Sequence, residues 1–569
     1  MQNKPRRNIS KVLSLLLALT VATTLLVAAP TKAFGLSSDT DPDTCQVWLG
    51  GVDQGLYSLK DAFAMMDDGP GNKIVVLDDI SLSENFELSH QSFDFYVDAD
   101  SLNFESYAIN IWDGSDVTFN NCDKYAGISG IFVDCTSSDA TYGSGGSTVV
   151  FNGDVTCHYS TLCVAQDAVV TLNGDFANTL KSGPVVCGTA SLTINGNVKE
   201  AYGYGLFVQD SATAFVTGNV AVPLTNGTGV YATGNATATI LGTVSGTDGV
   251  EAHGISKVIV CSTILARTWG ICASGSSTVI AYGNVSSNDE GIFATGSGTN
   301  VTVGTSSAPV LVSSNHCGVR AGNYGGSDAG ATVTVYGNVT SNYDGVYATG
   351  DSSEIAVFGN VYAGSNGVLA ECSGSVQVSG DVSSSASDTS YCAGVKAVGE
   401  GVVTVGGDVS APNTHGVWVQ SGSKVTIDGA LTAGVSYILF DNGPGSTPFG
   451  PEDYSEPTTK PGYLTYTFME LSMGDWDFVW LLDPNSPGPG NGPGSGPGAG
   501  PGAGPGASLP DPTLNTTDPD PAIPQTGDTL TLWAFALMAA LLGAVTLVLW
   551  ARRRQSAGWY TKDSSRSLH

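Results

Sequence analysis

Charge is what this sequence has least of. Lys, Arg, Asp and Glu together make up 13% of the 569 residues, and 21 basic residues face 52 acidic ones. Ten of the basic residues sit at the ends, five within residues 1–32 and five after Trp550, so residues 34–527 hold 11 against 50 and a net charge of −39. A body this acidic repels phosphate backbones, which excludes nucleic-acid binding. Arginine is almost missing from it, with Arg267 and Arg320 alone. The eleven cysteines show no metal-ligand spacing, and their odd number leaves at least one unpaired within the chain. A leucine-rich repeat pattern is absent as well. Disorder throughout is excluded from the other side, because 41% of the residues are hydrophobic.

Both ends carry address signals. Lys4, Arg6, Arg7 and Lys11 precede an apolar run over residues 12–29, and Ala28, Ala29 and Ala33 offer small residues for cleavage. Residues 1–33 are therefore expected to be a secretory signal peptide ending at Thr31-Lys32-Ala33, with a retained signal anchor as the alternative. Residues 34–57 read as a lead-in. At the other end, Ile523-Pro524-Gln525-Thr526-Gly527 is followed by an apolar stretch over residues 530–550 and then by Arg552, Arg553 and Arg554. The stretch is long enough to cross a bilayer as a transmembrane helix, and the arginines hold the tail on the cytoplasmic side.

In this order the elements over residues 523–569 resemble the sorting signal of Gram-positive cell-wall proteins, which is Leu-Pro-x-Thr-Gly, a membrane span and a basic tail. Ile523 departs from the pattern and leaves the sortase class open. The resemblance implies that a sortase cysteine attacks the Thr526 carbonyl, releases Gly527 onward and passes the chain to a peptidoglycan amine. Pro524 holds the backbone extended before that bond, and the span keeps it beside a membrane-bound enzyme. Sortase and peptidoglycan are the implied partners, with membrane contact only before cleavage. The alternative is a chance pentapeptide ahead of an ordinary membrane helix. Residues 485–522, rich in Pro and Gly and without apolar periodicity, read as a disordered wall spacer. It would span about 35 Å if flexible and ~115 Å as extended polyproline.

The middle of the chain is one repeat. Gly, then Asp or Asn, then an apolar residue recurs at Gly153-Asp154-Val155, Gly174-Asp175-Phe176, Gly196-Asn197-Val198 and Gly218-Asn219-Val220, and returns through Gly407-Asp408-Val409. Most steps are 21 or 22 residues, and the 41-residue gap from Gly242 to Gly283 holds a degenerate copy around residues 261–264. A second landmark is Gly-Val-x-Ala, as in Gly229-Val230-Tyr231-Ala232 and Gly345-Val346-Tyr347-Ala348. Alternating stretches such as Lys424-Val425-Thr426-Ile427 complete each copy. Period-2 alternation with β-branched residues predicts strands with one face inward, about three per copy, that bury their inner faces only by stacking on neighbouring copies.

This pattern, over residues 58–433, resembles the right-handed parallel β-helix of the pectin-lyase-like families. The resemblance implies an all-β solenoid of about 22 residues per rung, and it concerns the fold alone. Ser58-Leu59-Lys60-Asp61 predicts an N-terminal helical cap with Leu59, Ala62, Phe63 and Met66 on one face, and residues 74–77 read as the first strand. Residues 434–484, with predicted strands at 463–468 and 476–482, read as a C-terminal cap.

Candidate chemistry is sparse. Asp154 and Asp175 fall on adjacent rungs, as do Asp381 and Asp408, which leaves weak calcium binding or a retaining glycosidase pair open. The same column holds Asn in other copies, and both residues tolerate a left-handed bend, so a structural corner ladder explains every member. No cofactor is called for. His316 and His415 lie four rungs apart, roughly 19 Å, too far to share a zinc ion. Cys163 and Cys187 fall near one another on consecutive rungs, offset by about two residues, and their pairing stays open. Lyases of the resembling fold need a basic residue beside acids. Arg320, next to the insertion 322–330 with Asp328, is the place that answers to this, against a solvated surface pair as the alternative. The polygalacturonase motifs are absent.

Outward aromatics offer the better lead. Tyr231, Phe293, Tyr347 and Trp418 stand at the variable site of Gly-Val-x-Ala, and Tyr282, Tyr336 and Phe358 recur beside the Gly-Asx corner. They suit stacking on sugar rings or protein side chains, with cross-strand packing as the alternative. The expectation is a secreted, wall-anchored, non-enzymatic surface protein, adhesin-like or glycan-binding toward a host or neighbour. A wall-anchored polysaccharide lyase or glycoside hydrolase is the alternative.

Overall fold

In the computed structural model, the described residues are 44–485, apart from 83, 136–144, 201, 324–329, 388–390, 442–445, 456–457 and 470–475. The expected signal peptide (residues 1–33), spacer (485–522) and sorting motif (Ile523 to Gly527) fall wholly or almost wholly outside them, as do Asp328 and the 530–550 stretch. Among the described residues no helix is long and apolar enough to cross a membrane.

From Lys73 onward the chain winds as a right-handed parallel β-solenoid of about 16 turns. Each turn gives one strand to each of three faces, and on the second face the first three turns (Ile80–Ser81, Leu102–Asn103 and Tyr125–Ala126) form a short sheet of their own ahead of sheet 2. Thr148–Asn152 belongs to sheet 1, Val155–Cys157 to sheet 2 and Leu162–Val164 to sheet 3, and the next turn repeats the order with Val169–Asn173, Phe176–Asn178 and Val185–Val186. Equivalent strands pair in parallel and in register, for example Val150 with Thr171 and Val155 with Phe176. The degenerate copy is a full turn, because Ile264–Ala266 pairs with both Val244–Gly246 and Val285–Ser286. Among the turns without a Gly-Asx-Val signature, one is also longer. There Gly304 opens a longer corner that reaches the sheet 2 strand Val310–Ser314.

The inward positions explain the repeat. Val198, Val220, Val244 and Val285 of sheet 2, with Val230, Ala232, Val250 and Ala252 of sheet 3, are fully buried. Each valine removed from water contributes about 1.5 kcal/mol or more. The glycine of Gly-Val-x-Ala sits at the seam between sheets 3 and 2, where a side chain has no room. A Cβ at Gly270 would come within 2.4 Å of both Val285 Cγ1 and the Gly291 carbonyl oxygen.

The Gly-Asx corner works differently from the expected left-handed bend. The Asx residues do not have positive φ. That conformation occurs instead at the corner from sheet 3 to sheet 1, at Asp134 (φ 53°), Gln166 (φ 60°) and Asp210 (φ 62°) and at glycines such as Gly234 and Gly254. At the Gly-Asx corner, each Asx Oδ1 accepts from a backbone N–H of the following turn. Asp154 accepts from Asp175 (2.8 Å), Asp175 from Asn197 (2.8 Å) and Asn197 from Asn219 (2.9 Å). The ladder resumes through Asn338, Asn360, Asp381 and Asp408 to Ala430. Aspartate and asparagine interchange there because each supplies the same acceptor. The glycine beside them is forced by close approach, since a Cβ at Gly196 would lie 2.2 Å from the Gly174 carbonyl oxygen.

The start of the coil follows the sequence reading and adds to it. Helix Leu59–Met65 has Ser58 at its N-cap, whose side chain accepts from the Asp61 N–H, and Leu59, Ala62, Phe63 and Met66 are buried. Within the lead-in, Cys45–Leu49 and Val52–Tyr57 form an antiparallel hairpin that pairs with the first parallel strand, Lys73–Val76. The hairpin thereby occupies a sheet edge that is otherwise open to another chain. The first turns are filled by rings, with Phe63 against Phe86 at 4.5 Å and Phe119 stacked on Phe151 at 5.0 Å. Later turns use Val and Ala. At the far end Trp476–Leu482 adds to sheet 1 in parallel, and Tyr463–Met469 pairs antiparallel on it.

Candidate functional site

Inward positions are committed to the stack, so distinctive chemistry is left to the outward ones. On sheet 3 the variable site of Gly-Val-x-Ala becomes one continuous column: Phe207, Tyr231, Glu251, Cys272, Phe293, Arg320, Tyr347, Leu369, Lys396, Trp418 and Leu439. The four aromatics singled out from the sequence all stand in it, but not as open rings. Tyr347 and Trp418 are only 4% and 7% exposed. Tyr347 donates its hydroxyl hydrogen to Glu371 (2.8 Å), and Trp418 lies edge-on to His415 with the Lys396 ammonium 4.3 Å above its ring. Tyr231 and Phe293 are half-buried. For Tyr347 and Trp418, packing along the sheet is what the geometry favours.

Arg320 is not a solvated pair. It is 6% exposed, its guanidinium lies 4.2 Å above the Phe293 ring, and Nη1 is 2.9 Å from Oε1 of Glu290, itself 4% exposed. Burial pushes the Glu290 carboxyl up despite the attraction of Arg320. His316 lies beside Asp289 and Glu290 (3.7 and 3.9 Å) and stacks on Tyr343. Burial, with Glu251 and Asp248 adding to it, also raises the Cys272 thiol to about 12, so it is not a nucleophile at neutral pH.

Two turns earlier stands a cluster that the sequence reading missed. Thr228 Oγ1 donates to Glu251 Oε1 (2.6 Å), Glu251 Oε2 lies 3.5 Å from His253 Nε2, and His253 Nδ1 lies 2.7 Å from Ser274 Oγ. Asp248 stands near Glu251 on the same strand, and the two carboxyls shift in opposite directions. Burial and the neighbouring carboxylate raise Asp248. Glu251 feels the same burial, but its bonds from His253 and Thr228 outweigh that and lower it. A signal existed in the sequence, because Glu251 and His253 are two apart on one strand face and Ser274 follows His253 by one repeat.

The acid column is put to structural use along the corner. Asp154, Asp175, Asp381 and Asp408 spend Oδ1 on backbone N–H groups. Burial of Asp175 is outweighed by its bonds from Asn197 and by Lys199, 3.2 Å away, so its carboxyl sits below the usual range. Among the described residues no three His, Cys, Asp or Glu side chains converge to hold a metal ion. A shallow cavity of about 240 Å³ is lined by Asp78, Asp79, Asp98 and Asp100 near the start of the coil. No disulfide joins any two cysteines among the described residues. Cys163 is opposite Val185, so the two-residue offset from Cys187 stands, and both pack with Cys135 in a small satellite cluster.

Sheet 2 presents the opposite surface. Its outward column runs Lys199, Ala221, Ser245, Leu265, Ser286, Ser313, Thr340, Tyr362, Ser383, Ser410 and Thr432, uncharged from Ala221 onward. Leu265, Leu311 and Tyr362 are exposed on this face, and Tyr282 and Phe358 along its edge. Tyr336 stacks on Phe358 at 4.9 Å. No protein-family model, curated protein or solved structure matches the chain.

Proposed function

We propose that this is an exported surface protein of a Gram-positive bacterium, tied to peptidoglycan by a sortase acting at Thr526, that works by contact: an adhesin-like, glycan- or neighbour-binding protein. In this reading the solenoid is of the pectin-lyase-like type, the strands over residues 447–482 close its C-terminal end, and the Pro/Gly segment lifts it through the wall. The helix over residues 530–550 holds the precursor in the membrane until cleavage.

The observation that carries the contact reading is the outer face of sheet 2. In a chain of net charge −31, an uncharged column stretches from Ala221 to Thr432, with aromatic and leucine side chains standing exposed beside serine, threonine and asparagine. Such a surface meets a neutral, hydroxyl-rich ligand without the repulsion that the rest of the body exerts on acidic ones. Among the described residues most corners beside it are short.

Two experiments test the reading. Thr526→Ala shifts the protein from the wall fraction to the membrane or the medium, and unchanged wall attachment sinks the anchoring. Incubation of the wall-released protein with neutral and acidic glycans gives binding without new chain ends, weakened by Tyr362→Ala and Phe358→Ala. Release of new chain ends, abolished by Arg320→Ala, would put a lyase or hydrolase in its place.

A further inference from the structure

The contact reading leaves unused the half-buried group around His253 on sheet 3. A histidine facing a hydroxyl one turn away is common in this coil: His158 Nδ1 lies 2.9 Å from Thr179 Oγ1, and His415 Nδ1 faces Ser436 Oγ. At His253 the other ring nitrogen faces a carboxylate. His253 Nδ1 is 2.7 Å from Ser274 Oγ, while its Nε2 is 3.5 Å from Glu251 Oε2. Glu251 is itself fixed by Thr228. His158, among the described residues, has no carboxylate on its far nitrogen. A hydroxyl, a base within hydrogen-bond reach and a carboxylate that orients the base form the arrangement that activates a serine.

We propose that Ser274 is a nucleophile, His253 its general base and Glu251 the positioning residue of a small acyl-transfer centre that hydrolyses short-chain esters carried on neutral molecules. With its proton on Nε2, toward Glu251, the imidazole presents a lone pair at Nδ1 to the Ser274 hydroxyl. As Ser274 Oγ bonds to the ester carbonyl carbon, its proton passes to Nδ1. The C–O bond to the alcohol breaks, and the alcohol leaves with that proton. Water then repeats the sequence on the acyl-serine, giving up one proton through Nδ1, and releases the carboxylic acid with Ser274 restored. The chemistry around the site sets the substrate class. Asp248, Glu251, Asp289 and Glu290 on neighbouring strands disfavour anionic esters. A shallow sheet face does not enclose a long acyl chain, and Tyr231, with its ring 5.2 Å from His253, offers an apolar side to the carrier. The inference holds whether or not the chain is wall-anchored.

The test uses the full chain, a fluorophosphonate probe and peptide mass mapping. The expected result is an adduct on Ser274 that is absent in Ser274→Ala and unchanged in Thr179→Ala. His253→Ala slows labelling on the order of 100-fold or more, the usual contribution of a general base. The labelling rate of the native chain depends on pH, His253→Ala removes that dependence, and Glu251→Gln changes the profile. Hydrolysis of p-nitrophenyl acetate above the Ser274→Ala background accompanies it. No adduct at Ser274, under conditions that label a known serine hydrolase, overturns the proposal. So does labelling of the native chain at a rate independent of pH, a result that stands even where His253→Ala fails to fold.

Discussion

Sheets 2 and 3 are built on the same rung and the same inward valines, yet their outer faces are opposites. Sheet 3 carries Glu251, Glu290, Arg320 and His415 largely out of solvent and pairs or stacks them. Sheet 2 carries serine, threonine, leucine and tyrosine in the open, without charge over most of its length. The difference teaches that the stack constrains only inward side chains. Outward positions are free to vary, so two faces of one coil can serve a buried polar network and a neutral contact strip.

The largest expected effect falls on sheet 3. Arg320→Ala leaves the Glu290 carboxyl buried without its cation and costs about 3 kcal/mol, read by chemical denaturation. Lys199→Ala, which removes a largely exposed partner of Asp175, costs less than about 1 kcal/mol. Equal losses from the two would erase the contrast between the faces.

A second comparison sets Glu290 against Glu200, at the end of a sheet 2 strand. Glu200 is also buried, and neither of its oxygens has a hydrogen-bond partner among the described residues. Burial raises its carboxyl to about 10 from the usual 4.5. The unfolded chain gives up this proton near 4.5 while the folded chain keeps it. Stability contributed by the protonated group is therefore full below about 4.5, falls as pH rises toward 10 and levels off above it. Glu200→Gln flattens that slope and stabilises the protein at pH 8 by on the order of 2 kcal/mol, measured as melting temperature against pH. Glu290→Gln destabilises the protein instead, because it removes the carboxylate that faces the buried Arg320. A pH slope that persists in Glu200→Gln would place the titration elsewhere.

Smaller effects belong to the corner and the open face. Asn360→Ala removes the acceptor for the Asp381 N–H and costs about 1 kcal/mol in denaturant unfolding, whereas Asn360→Asp keeps the acceptor and costs less. Tyr362→Ala on sheet 2 changes stability by no more than about 0.5 kcal/mol and weakens ligand binding. A stability loss as large as that of a core residue would show that Tyr362 packs rather than contacts.

Most of the fold was legible because a solenoid writes its core in alternation. Val230 and Ala232 inward with Tyr231 between them spell a strand, and Gly196-Asn197-Val198 spells a corner, wherever the copies recur. The turn at residues 304–314 was not legible, since its corner has no Gly-Asx-Val, and strand pairing with both neighbours and the Asn284 bond to the Leu311 N–H mark it as equivalent. The reason for the Asx column was also misread. Tolerance of a left-handed bend and an Oδ1 acceptor are both properties of Asp and Asn, and a single chain does not tell them apart. Nor did the variable site reveal whether a ring is open or covered, as Tyr347 and Tyr231 occupy the same column with different burial.

The order of residues alone determined the strands, the repeat length, the acidic body and the inward valines, because each follows from local periodicity and composition. Only the tertiary structure decided which outward residues meet, because neighbours in a coil are about 21 residues apart in the chain and 4.8 Å apart in space. Arg320 reaches Glu290, and Ser274 reaches His253, by winding and not by sequence.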